Sequence, residues 1–526
     1  MDGPMTADSF DVDTLTQSDI IGFFSSPDAH RGQEVKRIDT HANIAFLVGN
    51  DAYKMKRDVK FPFLDYSSLE KRKNACEAEI RLNSQYAPQI YRSTLPITLE
   101  RDGSLELAGH GVVVEWVVHM NRFNEHLGLD RVAEEKGISR ELALDLAKLM
   151  VDAHSRTTQR EAQPWIEDLL AYTNQNLDAF QEFPQFFPAD QVIALDKAAR
   201  EEHTFIESII LKRGEHGLVR LNHGDAHLAN IVMHDGKPLL FDAVEFDDAI
   251  ATGDVLYDLA FLLLDLCERK EPEAANVVLN AYLQQAHELK HLEDIRVLRF
   301  YLMMRAAIRA KIGAAASLHQ EGATRRKTED QAQEYFRIYQ RALAPTPPVL
   351  CVVGGLSGTG KTTLAQGLAP KLGRMPGAVH LRTDVIRKEM LEIDEADKAS
   401  KETYTPEFSA KVYAELLRRA EMVLAAGHSV IIDGVYGKPA ERDSVEQLAK
   451  KTNAEFIGIW LEADVETLIN RVDARHGDAS DADAEVVRLQ QNYDLGEIHW
   501  VKLDSGKSKE AVLEQACSVT GLEPAL

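Results

Sequence analysis

The sequence has few cysteines and no long apolar run. Its 526 residues include only four widely spaced cysteines: Cys76, Cys267, Cys351 and Cys517. With no CxxC pair among them, they offer neither a disulfide framework nor the ligand spacing of a metal site. The apolar stretch 259–264 ends at Asp265 and is too short to span a bilayer, and residues 1–19 lack a basic and apolar signal pattern. We therefore expect a cytoplasmic protein with no membrane partner.

Positive charge is also scarce. The chain has 60 Lys and Arg against 84 Asp and Glu, which gives a formal net charge of −24. Binding to a nucleic-acid backbone needs clustered basic residues, so we expect no nucleic-acid partner. The acidity leaves nucleotide binding open, because one local nest of backbone N–H groups can hold phosphates. The length predicts about two to four domains, and nothing in the composition sets the oligomeric state.

Three prolines in four residues, Pro345, Pro347 and Pro348, interrupt the chain after a helical pattern and before the apolar run 349–353. Prolines at this density cannot continue a helix, so we place a domain boundary here. The predicted parts are a flexible tail at 1–14, a first domain at 15–343, a linker at 344–348 and a second domain at 349–526. Within the first domain, a small β-rich lobe (about 15–120) precedes a helical lobe (about 121–343).

The second domain alternates strand-like and helix-like segments. The predicted strands are 349–353, 429–433 and 455–461, and the predicted helices are 361–372, 408–426 and 464–475. This rhythm is typical of a parallel sheet covered by helices. The fold class expected for the whole chain is therefore α/β, with an α+β two-lobed first domain.

A phosphate-binding loop opens the second domain. The pattern G-x-x-x-x-G-K-T follows a buried strand and precedes a helix, which is the context that the P-loop mechanism requires. Its glycines let backbone N–H groups surround the phosphates, the lysine reaches the β- and γ-phosphates, and the threonine hydroxyl binds Mg²⁺. The predicted nucleotide-binding residues here are Gly355, Ser357, Gly358, Thr359, Gly360, Lys361, Thr362 and Thr363.

Charged residues further along the second domain fit a phosphoryl-transfer site. Asp433 ends the apolar strand and can hold the magnesium. Asp384 can accept the proton of a substrate hydroxyl, and Arg387 can clamp an anionic substrate. Arg471 and Arg475 share one helix face and suit a lid over the transferred phosphoryl group. The alternatives are a strand-end turn for Asp433, a helix cap for Asp384 and a solvated face for the arginines.

These motifs resemble those of P-loop small-molecule kinases, a class that includes gluconate and shikimate kinases, chloramphenicol phosphotransferase and zeta-toxin kinases. The shared pattern is G-x-S-G-x-G-K-T, then T-D-x-x-R, an I-I-D strand, and R-x-x-x-R with S-D-A, over about residues 349–505. The resemblance implies ATP-dependent transfer to a small molecule, with Lys361 and Asp384 in catalytic roles.

A second constellation lies in the first domain, where H-G-D-x-x-x-x-N is followed by a short hairpin and F-D. An Asp in a tight loop can deprotonate an attacking hydroxyl, and an Asn and a second Asp can hold the metal that bridges to the phosphates. This spacing resembles that of aminoglycoside phosphotransferases and choline kinases, which share a protein-kinase-like fold. The resemblance implies that Asp225 is the catalytic base and that Asn230 and Asp242 are metal ligands.

The same resemblance calls for a lysine on a strand and a glutamate on the following helix. Lys54 fits the A-x-K pattern and is preferred over Lys56, while Glu79 is preferred over Glu77. Asp258 resembles the aspartate that braces the catalytic loop from a helix. The chain departs from the pattern in having no glycine-rich loop before the lysine, in the absence of D-F-G, and in lacking the acidic helix that binds aminoglycosides.

Together the two halves resemble a bacterial family in which an aminoglycoside-phosphotransferase-like domain is fused to a P-loop kinase domain. This implies ATP and Mg²⁺ as cofactors and small-molecule substrates, although no residue pattern separates ATP from GTP. The leading hypothesis is a bifunctional kinase in which each domain phosphorylates a hydroxyl, with sugar-like alcohols favoured. The alternative hypothesis is one active P-loop kinase regulated by a non-catalytic ATP-binding domain. Protein substrates rank lower, because A-P-E is absent.

Overall fold

The computed structural model describes residues 15–61, 64–394, 397, 405–473 and 483–522. The chain forms two compact units. The first consists of Met1–Gly137, Asp152–Trp165 and Gly214–Leu259. The second consists of Ile138–Val151, Ile166–Arg213 and Ala260–Leu526. The predicted tail at 1–14 lies outside the described residues.

The first unit is built on a six-stranded antiparallel sheet with the strand order β1-β2-β3-β8-β6-β7. Its strands are β1 (Val35–Asp39), β2 (Asn43–Val48), β3 (Asp51–Lys56), β6 (Tyr91–Leu99), β7 (Leu105–Leu107) and β8 (Val112–Asn121), and a two-stranded piece comprises β4 (Lys60–Phe61) and β5 (Leu64–Asp65). Phe46 on β2 and Met55 on β3 are fully buried and pack with Phe24 of helix α1 (Gln17–Phe24). Helix α2 (Leu69–Asn83) follows the strands and begins at Ser68, whose side chain accepts from Lys71 N–H.

Short elements complete the first unit. They are α3 (Leu129–Lys136), β9 (Val219–Leu221), β10 (Ile231–His234), β11 (Lys237–Leu240), α7 (Asp248–Ala251) and β12 (Thr252–Asp254). Strands β10 and β11 form an antiparallel hairpin through Asp235 and Gly236, which both have positive φ. Strand β12 pairs with β9. These pairings set the loops before β10 and after β11 at fixed positions.

Eight of the described α-helices before residue 349 lie wholly or mostly in the second unit. They are α4 (Arg140–Arg156), α5 (Ala162–Glu182), α6 (Ala189–Glu215), α8 (Val255–Glu268), α9 (Pro272–Gln285), α10 (Lys290–Glu293), α11 (Arg296–Ser317) and α12 (Gly322–Leu343). Helix α11 is apolar on a broad face, and Phe300, Met304 and Ala307 are fully buried there. It packs along α12, which ends at Leu343, directly before the proline-rich segment.

The second unit also contains a five-stranded parallel sheet with the order β14-β15-β13-β16-β17. Its strands are β13 (Val349–Gly355), β14 (Val379–Arg382), β15 (Val430–Asp433), β16 (Glu455–Glu462) and β17 (Val501–Asp504). The helices are α13 (Lys361–Leu368), α14 (Thr383–Met390), α15 (Pro406–Ala425), α16 (Pro439–Thr452), α17 (Val465–Asp473), α18 (Ala484–Gln490) and α19 (Lys509–Thr520). Apolar residues of β13, including Cys351 and Val353, are fully buried against α13 and α19, because both faces of a parallel sheet are covered.

The fold class predicted from the sequence is confirmed in both its antiparallel and its parallel sheet. Strands β6 and β17 had no counterpart in the prediction. The predicted boundary near 345 stays a prediction, since the second compact unit also includes helices from before it. None of the described helices has the length and apolar character needed to cross a membrane.

Candidate active sites

In the first unit, burial separates the two candidate glutamates of α2, and both lysines of β3 contact the buried one. Lys54 Nζ lies 3.0 Å from Glu79 Oε1, so the preferred pair is in direct contact. Lys56 Nζ lies 2.6 Å from the other oxygen of the same carboxylate. Glu77 pairs instead with Lys73 at 3.7 Å, and its side chain is 54% exposed. Glu79 thus holds both lysines, and Glu77 lies on the opposite, solvated side of the helix.

The contact of Lys54 with Asp242 joins two segments that are far apart in sequence. Lys54 Nζ donates to Asp242 Oδ1 at 2.6 Å. Burial opposes the charged form of Lys54, but Asp242 and Glu79 outweigh it and raise the pKa of the ammonium well above its ordinary value. At Asp242, burial also opposes the charged form. The charge and hydrogen bond of Lys54 outweigh burial and lower the pKa of the carboxyl. Both groups are therefore charged at neutral pH.

Lys56 and Glu245 form a buried extension of this pair that sequence reasoning did not assign to the site. The Lys56 side chain is fully buried and forms an ion pair with Glu245, which also accepts a hydrogen bond from Tyr66 at 3.2 Å. Charges therefore alternate along a chain of five side chains, in the order Asp242, Lys54, Glu79, Lys56 and Glu245. The signal for Glu245 was its position three residues after Asp242, where the expected D-F-G is missing.

The loop before β10 carries the predicted catalytic base. Asn230 Nδ2 donates to the Asp225 backbone carbonyl at 2.9 Å and lies 3.2 Å from Asp225 Oδ2. Gly224, with a φ of 81°, donates its N–H to Asp258 Oδ1 at 2.8 Å. The other oxygen of Asp258 lies 3.1 Å from His154 Nε2. Asp258 thus holds the turn that presents Asp225, and Asn230 closes the loop behind it.

Asp242 is presented by a strained turn after β11. Its φ is 62°, in a region that non-glycine residues seldom adopt. Tyr91 and Asn83 hold this turn, since they accept from the backbone N–H groups of Asp242 and Ala243 at 3.2 and 2.8 Å. His223 Nε2 donates to the carbonyl of Phe241 at 2.9 Å, and burial lowers the pKa of this imidazole. Neutral His223 therefore ties the Asp225 loop to the Asp242 turn.

The donor atoms of this site fit a magnesium ion. Mg²⁺ prefers carboxylate and amide oxygens. The second carboxylate oxygen of Asp242 and the amide oxygen of Asn230 make no hydrogen bond within the part of the chain that the structure describes. The two predicted metal ligands thus each keep an oxygen available.

In the second unit, the P-loop runs from the end of β13 to the start of α13. Gly358 has a φ of 87°, and a Cβ atom there would lie 2.7 Å from the carbonyl oxygen of Leu468. Gly360, with a φ of 86°, directly precedes the first helical residue, Lys361. The loop therefore needs glycine at Gly358 and Gly360, for backbone conformation and, at Gly358, for close packing. Helix α13 begins directly after the loop, so its N-terminal N–H groups lie at the end of the loop.

Two further hydrogen bonds hold the loop. Lys361 Nζ donates to the carbonyl of Leu356 at 3.0 Å, within the loop itself. The N–H of Ser357 donates to Gln490 Oε1 at 2.8 Å, and Gln490 is only 6% exposed. Gln490 is the last residue of α18, far along the sequence, and no motif pointed to it. It supports the loop from behind.

Asp433 lies buried at the end of β15, next to the P-loop strand β13. His380 Nε2 lies 2.8 Å from Asp433 Oδ2. Burial favours the neutral acid, but the hydrogen bond and charge of His380, together with Arg382 and Lys361, lower the pKa of Asp433. The carboxylate is therefore charged, and carboxylate and hydroxyl oxygens such as those of Asp433 and Thr362 are of the kind that Mg²⁺ prefers.

Asp384 and Arg387 lie on α14. Asp384 occupies the first turn of this helix, whose cap residue Arg382 makes no side-chain capping bond. Arg387 is 6% exposed and donates to Ser409 Oγ at 3.3 Å. The structure thus places Asp384 inside the helix, so the alternative of a helix cap is wrong, and it gives Arg387 a contact with α15. Their predicted roles stay predictions.

Arg471 borders a cavity of about 320 Å³ beside the P-loop. Its Nη2 donates to the carbonyl of Ser505 at 2.8 Å. The same cavity is lined by Gly358, Thr363 and two lysines that the sequence did not single out, Lys507 and Lys509. Arg475 lies outside the described residues.

Comparison with known proteins matches each half to a family. A model described as "Phosphotransferase enzyme family" matches residues 68–301, and one described as "AAA domain" matches residues 350–493. The uncharacterized protein Rv2004c of Mycobacterium tuberculosis is 30% identical over 512 residues, which cover 93% of this chain and 96% of that protein. The chain belongs to the same family. This family joins an N-terminal phosphotransferase domain to a C-terminal P-loop domain, so the fusion predicted from the sequence is confirmed.

Solved structures resemble the two halves of this fusion protein separately. A choline/ethanolamine kinase family protein from Mesorhizobium loti is 12% identical with a TM-score of 0.36, and the match covers 62% of this chain and 98% of that one. A gluconokinase from Sinorhizobium meliloti 1021 is 20% identical with a TM-score of 0.25, and the match covers 33% of this chain and 92% of that one.

Proposed function

We propose that this fusion protein is a bifunctional ATP-dependent phosphotransferase. Each domain transfers the γ-phosphoryl group of ATP to a hydroxyl group of a small molecule, with sugar-like alcohols as the favoured class. Both domains match families that use nucleotides for phosphoryl transfer. We propose in addition that each half is active and that its acceptor is a hydroxyl group.

The observation that carries the proposal is the contact of Lys54 with both Glu79 and Asp242. Three segments that are separate in the sequence supply these side chains, and Lys54 Nζ lies within 3.0 Å of each carboxylate. A lysine held in this way presents a fixed positive charge next to the predicted metal ligand, where the phosphates of a nucleotide need it. Removing charged groups from water costs free energy, so a lysine held between two carboxylates fits a site where that charge serves ligand binding.

In the first domain, Asp225 accepts the proton of the acceptor hydroxyl. The hydroxyl oxygen attacks the γ-phosphorus, the bond from that phosphorus to the β–γ bridging oxygen breaks, and ADP leaves with the electron pair. Asn230 restrains the Asp225 loop through its 2.9 Å hydrogen bond to the Asp225 carbonyl. Lys54 holds the phosphates. Magnesium, held by Asn230 and Asp242, would supply charge neutralisation.

In the second domain, the acceptor oxygen likewise attacks the γ-phosphorus, ADP leaves, and Asp384 receives the hydroxyl proton. Lys361 leaves the Leu356 carbonyl to reach the β- and γ-phosphates, and the P-loop N–H groups bind the phosphate oxygens. Arg471 and the lysines of the small cavity add positive charge beside the loop. Magnesium at Thr362 and Asp433 would again neutralise charge.

The test is transfer from γ-labelled ATP into an extract of small molecules, with wild type, Asp225→Ala and Lys361→Ala assayed in parallel. If both domains are kinases, each substitution removes a different labelled product. Loss of all products in Lys361→Ala alone, with Asp225→Ala unchanged, would show that the first domain does not transfer phosphate.

That second outcome corresponds to an alternative function, in which the first domain binds ATP and regulates the P-loop kinase. One observation favours it: no glycine-rich loop precedes Lys54. Calorimetric titration of the Lys361→Ala protein with ATP, combined with the labelled-transfer assay on the same protein, separates the two functions, because a regulatory domain binds ATP but forms no labelled product.

A further inference from the structure

The second unit contains a large cavity, and among the predicted site residues that the structure describes only Thr362 and Thr363 border it. Its volume is about 1020 Å³, the upper end of the size of small-molecule sites. Its lining includes the start of the P-loop helix α13 and part of α9, which precedes the P-loop domain in sequence. Strand β14 and helix α14 complete it through residues that include Arg382 and Val385.

Polar uncharged groups from α9 and α13 line this cavity. Gln284 and His287 come from α9 and the residues that follow it, and Thr362, Thr363 and Gln366 come from α13. Within the part of the chain that the structure describes, the side chains of Thr363, Gln366 and His287 make no hydrogen bond to protein. A cavity lined by donors and acceptors that make no hydrogen bond to protein is suited to a ligand with its own hydrogen-bonding groups.

The position of Thr363 links this cavity to the phosphate-binding loop. Thr363 borders both the large cavity and the 320 Å³ cavity that Gly358 and Arg471 line. Both cavities therefore border the first turn of α13, next to Lys361 and Thr362. A nucleotide in the smaller cavity and an acceptor in the larger one would face each other where the γ-phosphoryl group has to be.

We propose that the large cavity is the acceptor site of the P-loop domain and that it takes a neutral, hydroxyl-rich molecule, a sugar or polyol. This inference rests on the proposed kinase function of that domain. Part of the acceptor site then comes from α9 and the residues that follow it, outside the residues 350–493 that match the P-loop family. Acceptor specificity is set by a helix that the P-loop fold itself does not contain.

The chemistry of the walls selects this ligand class. Amides and hydroxyls both donate and accept, as sugar hydroxyls do. The charges are balanced rather than of one sign: Arg419 on the wall forms an ion pair with Glu389, which also lines the cavity. Arg382 lies 4.0 Å from Asp433. No excess of positive charge calls for a phosphorylated or carboxylated ligand.

In the transfer, the polyol oxygen attacks the γ-phosphorus, the bond from that phosphorus to the β–γ bridging oxygen breaks, and ADP leaves. The hydroxyl proton passes to Asp384, which precedes Val385 of the cavity lining. The test uses γ-labelled ATP and a small-molecule extract, with the labelled product that Lys361→Ala removes as the readout. Gln284→Leu on α9 and Gln366→Leu on α13 each remove a side-chain amide from the cavity lining. Gln285→Leu, on the same helix but not lining the cavity, is the matched control.

At limiting extract, each cavity variant is expected to form about five- to tenfold less of this product, with unchanged affinity for a fluorescent ATP analogue. The control variant keeps the wild-type yield. The product is expected to change its chromatographic mobility after periodate treatment, because periodate cleaves the carbon–carbon bond between two carbons that carry adjacent hydroxyl groups.

Wild-type yields in both cavity variants, or a product that periodate leaves intact, would overturn the inference. Equal losses of yield and of ATP affinity would also overturn it, since they indicate a structural role. If wild type forms no product that depends on Lys361, the kinase function itself is wrong, and that result is distinct from the others.

Discussion

The side chain of Asn280 pairs with the backbone around His380 as a neighbouring strand would. Its Oδ1 accepts from the His380 N–H at 2.7 Å, and its Nδ2 donates to the carbonyl of Ala378 at 3.2 Å. Strand β14 is the edge of the parallel sheet, and an edge strand exposes unpaired backbone groups. Asn276, one turn earlier on α9, donates to the same Ala378 carbonyl and to Pro376. Two asparagines of α9 thus complete the edge of the P-loop sheet.

Asn280→Leu is expected to lower the free energy of unfolding by about 1–3 kcal/mol, because it leaves the His380 N–H without its partner. Urea denaturation followed by circular dichroism measures this change. Gln285→Leu on the same helix removes an amide that makes no hydrogen bond in the described structure, and its midpoint is expected to match wild type. Equal midpoints for both variants would mean that the edge contacts contribute nothing.

Glu79→Gln is expected to destabilise the protein by about 3–5 kcal/mol, since it removes the shared carboxylate from two buried lysines. The same variant is expected to lose nucleotide binding by the first domain. The control is Glu77→Gln on the same helix, whose exposed pair with Lys73 contributes about 0–1 kcal/mol. A small effect of Glu79→Gln on both stability and binding would contradict the proposed site.

His428 predicts a measurable dependence of stability on pH. It is buried with Nε2 2.9 Å from the Gly377 carbonyl, and burial lowers its pKa from 6.5 to about 4. The unfolded chain therefore binds a proton at higher pH than the folded chain does. The contribution is fully present above pH 6.5 and is lost as the pH falls through 6.5 towards 4, by about 3 kcal/mol.

The measurement is urea denaturation of wild type and His428→Gln at several pH values across this window. The variant is expected to lose less stability between the two ends, by about 3 kcal/mol. His499→Gln, at a largely exposed position, is expected to retain the wild-type pH dependence. Parallel curves for wild type and His428→Gln would refute the assignment.

Gln490→Ala is expected to weaken nucleotide binding by the P-loop domain about tenfold, because the Ser357 N–H loses its partner and the loop loses a support. A Lys54→Ala background disables the other proposed site, so that a fluorescent ATP analogue reports on the P-loop alone. Gln491→Ala, the next and exposed residue, is expected to bind as the background protein does. Unchanged affinity in Gln490→Ala would show that α18 does not support the loop.

Local sequence determined the chemistry-bearing loops. The P-loop and the H-G-D loop depend on glycines at fixed positions and on a strand or helix next to them, and these requirements are visible within about ten residues. The hairpin of β2 and β3 and the alternation of the second domain follow likewise from short-range hydrophobic periodicity. For this reason both families and the fold class could be predicted without a structure.

The tertiary structure decided which of several equivalent residues enter the sites. Glu77 and Glu79 have the same local chemistry, and only packing of α2 against the sheet buries one and exposes the other. Glu245 and Gln490 reach their partners Lys56 and Ser357 across long sequence separations, which no local pattern records. The asparagines of α9 complete a sheet whose strands begin about 70 residues later, because burial of an open sheet edge is a requirement of the assembled fold and not of any one segment.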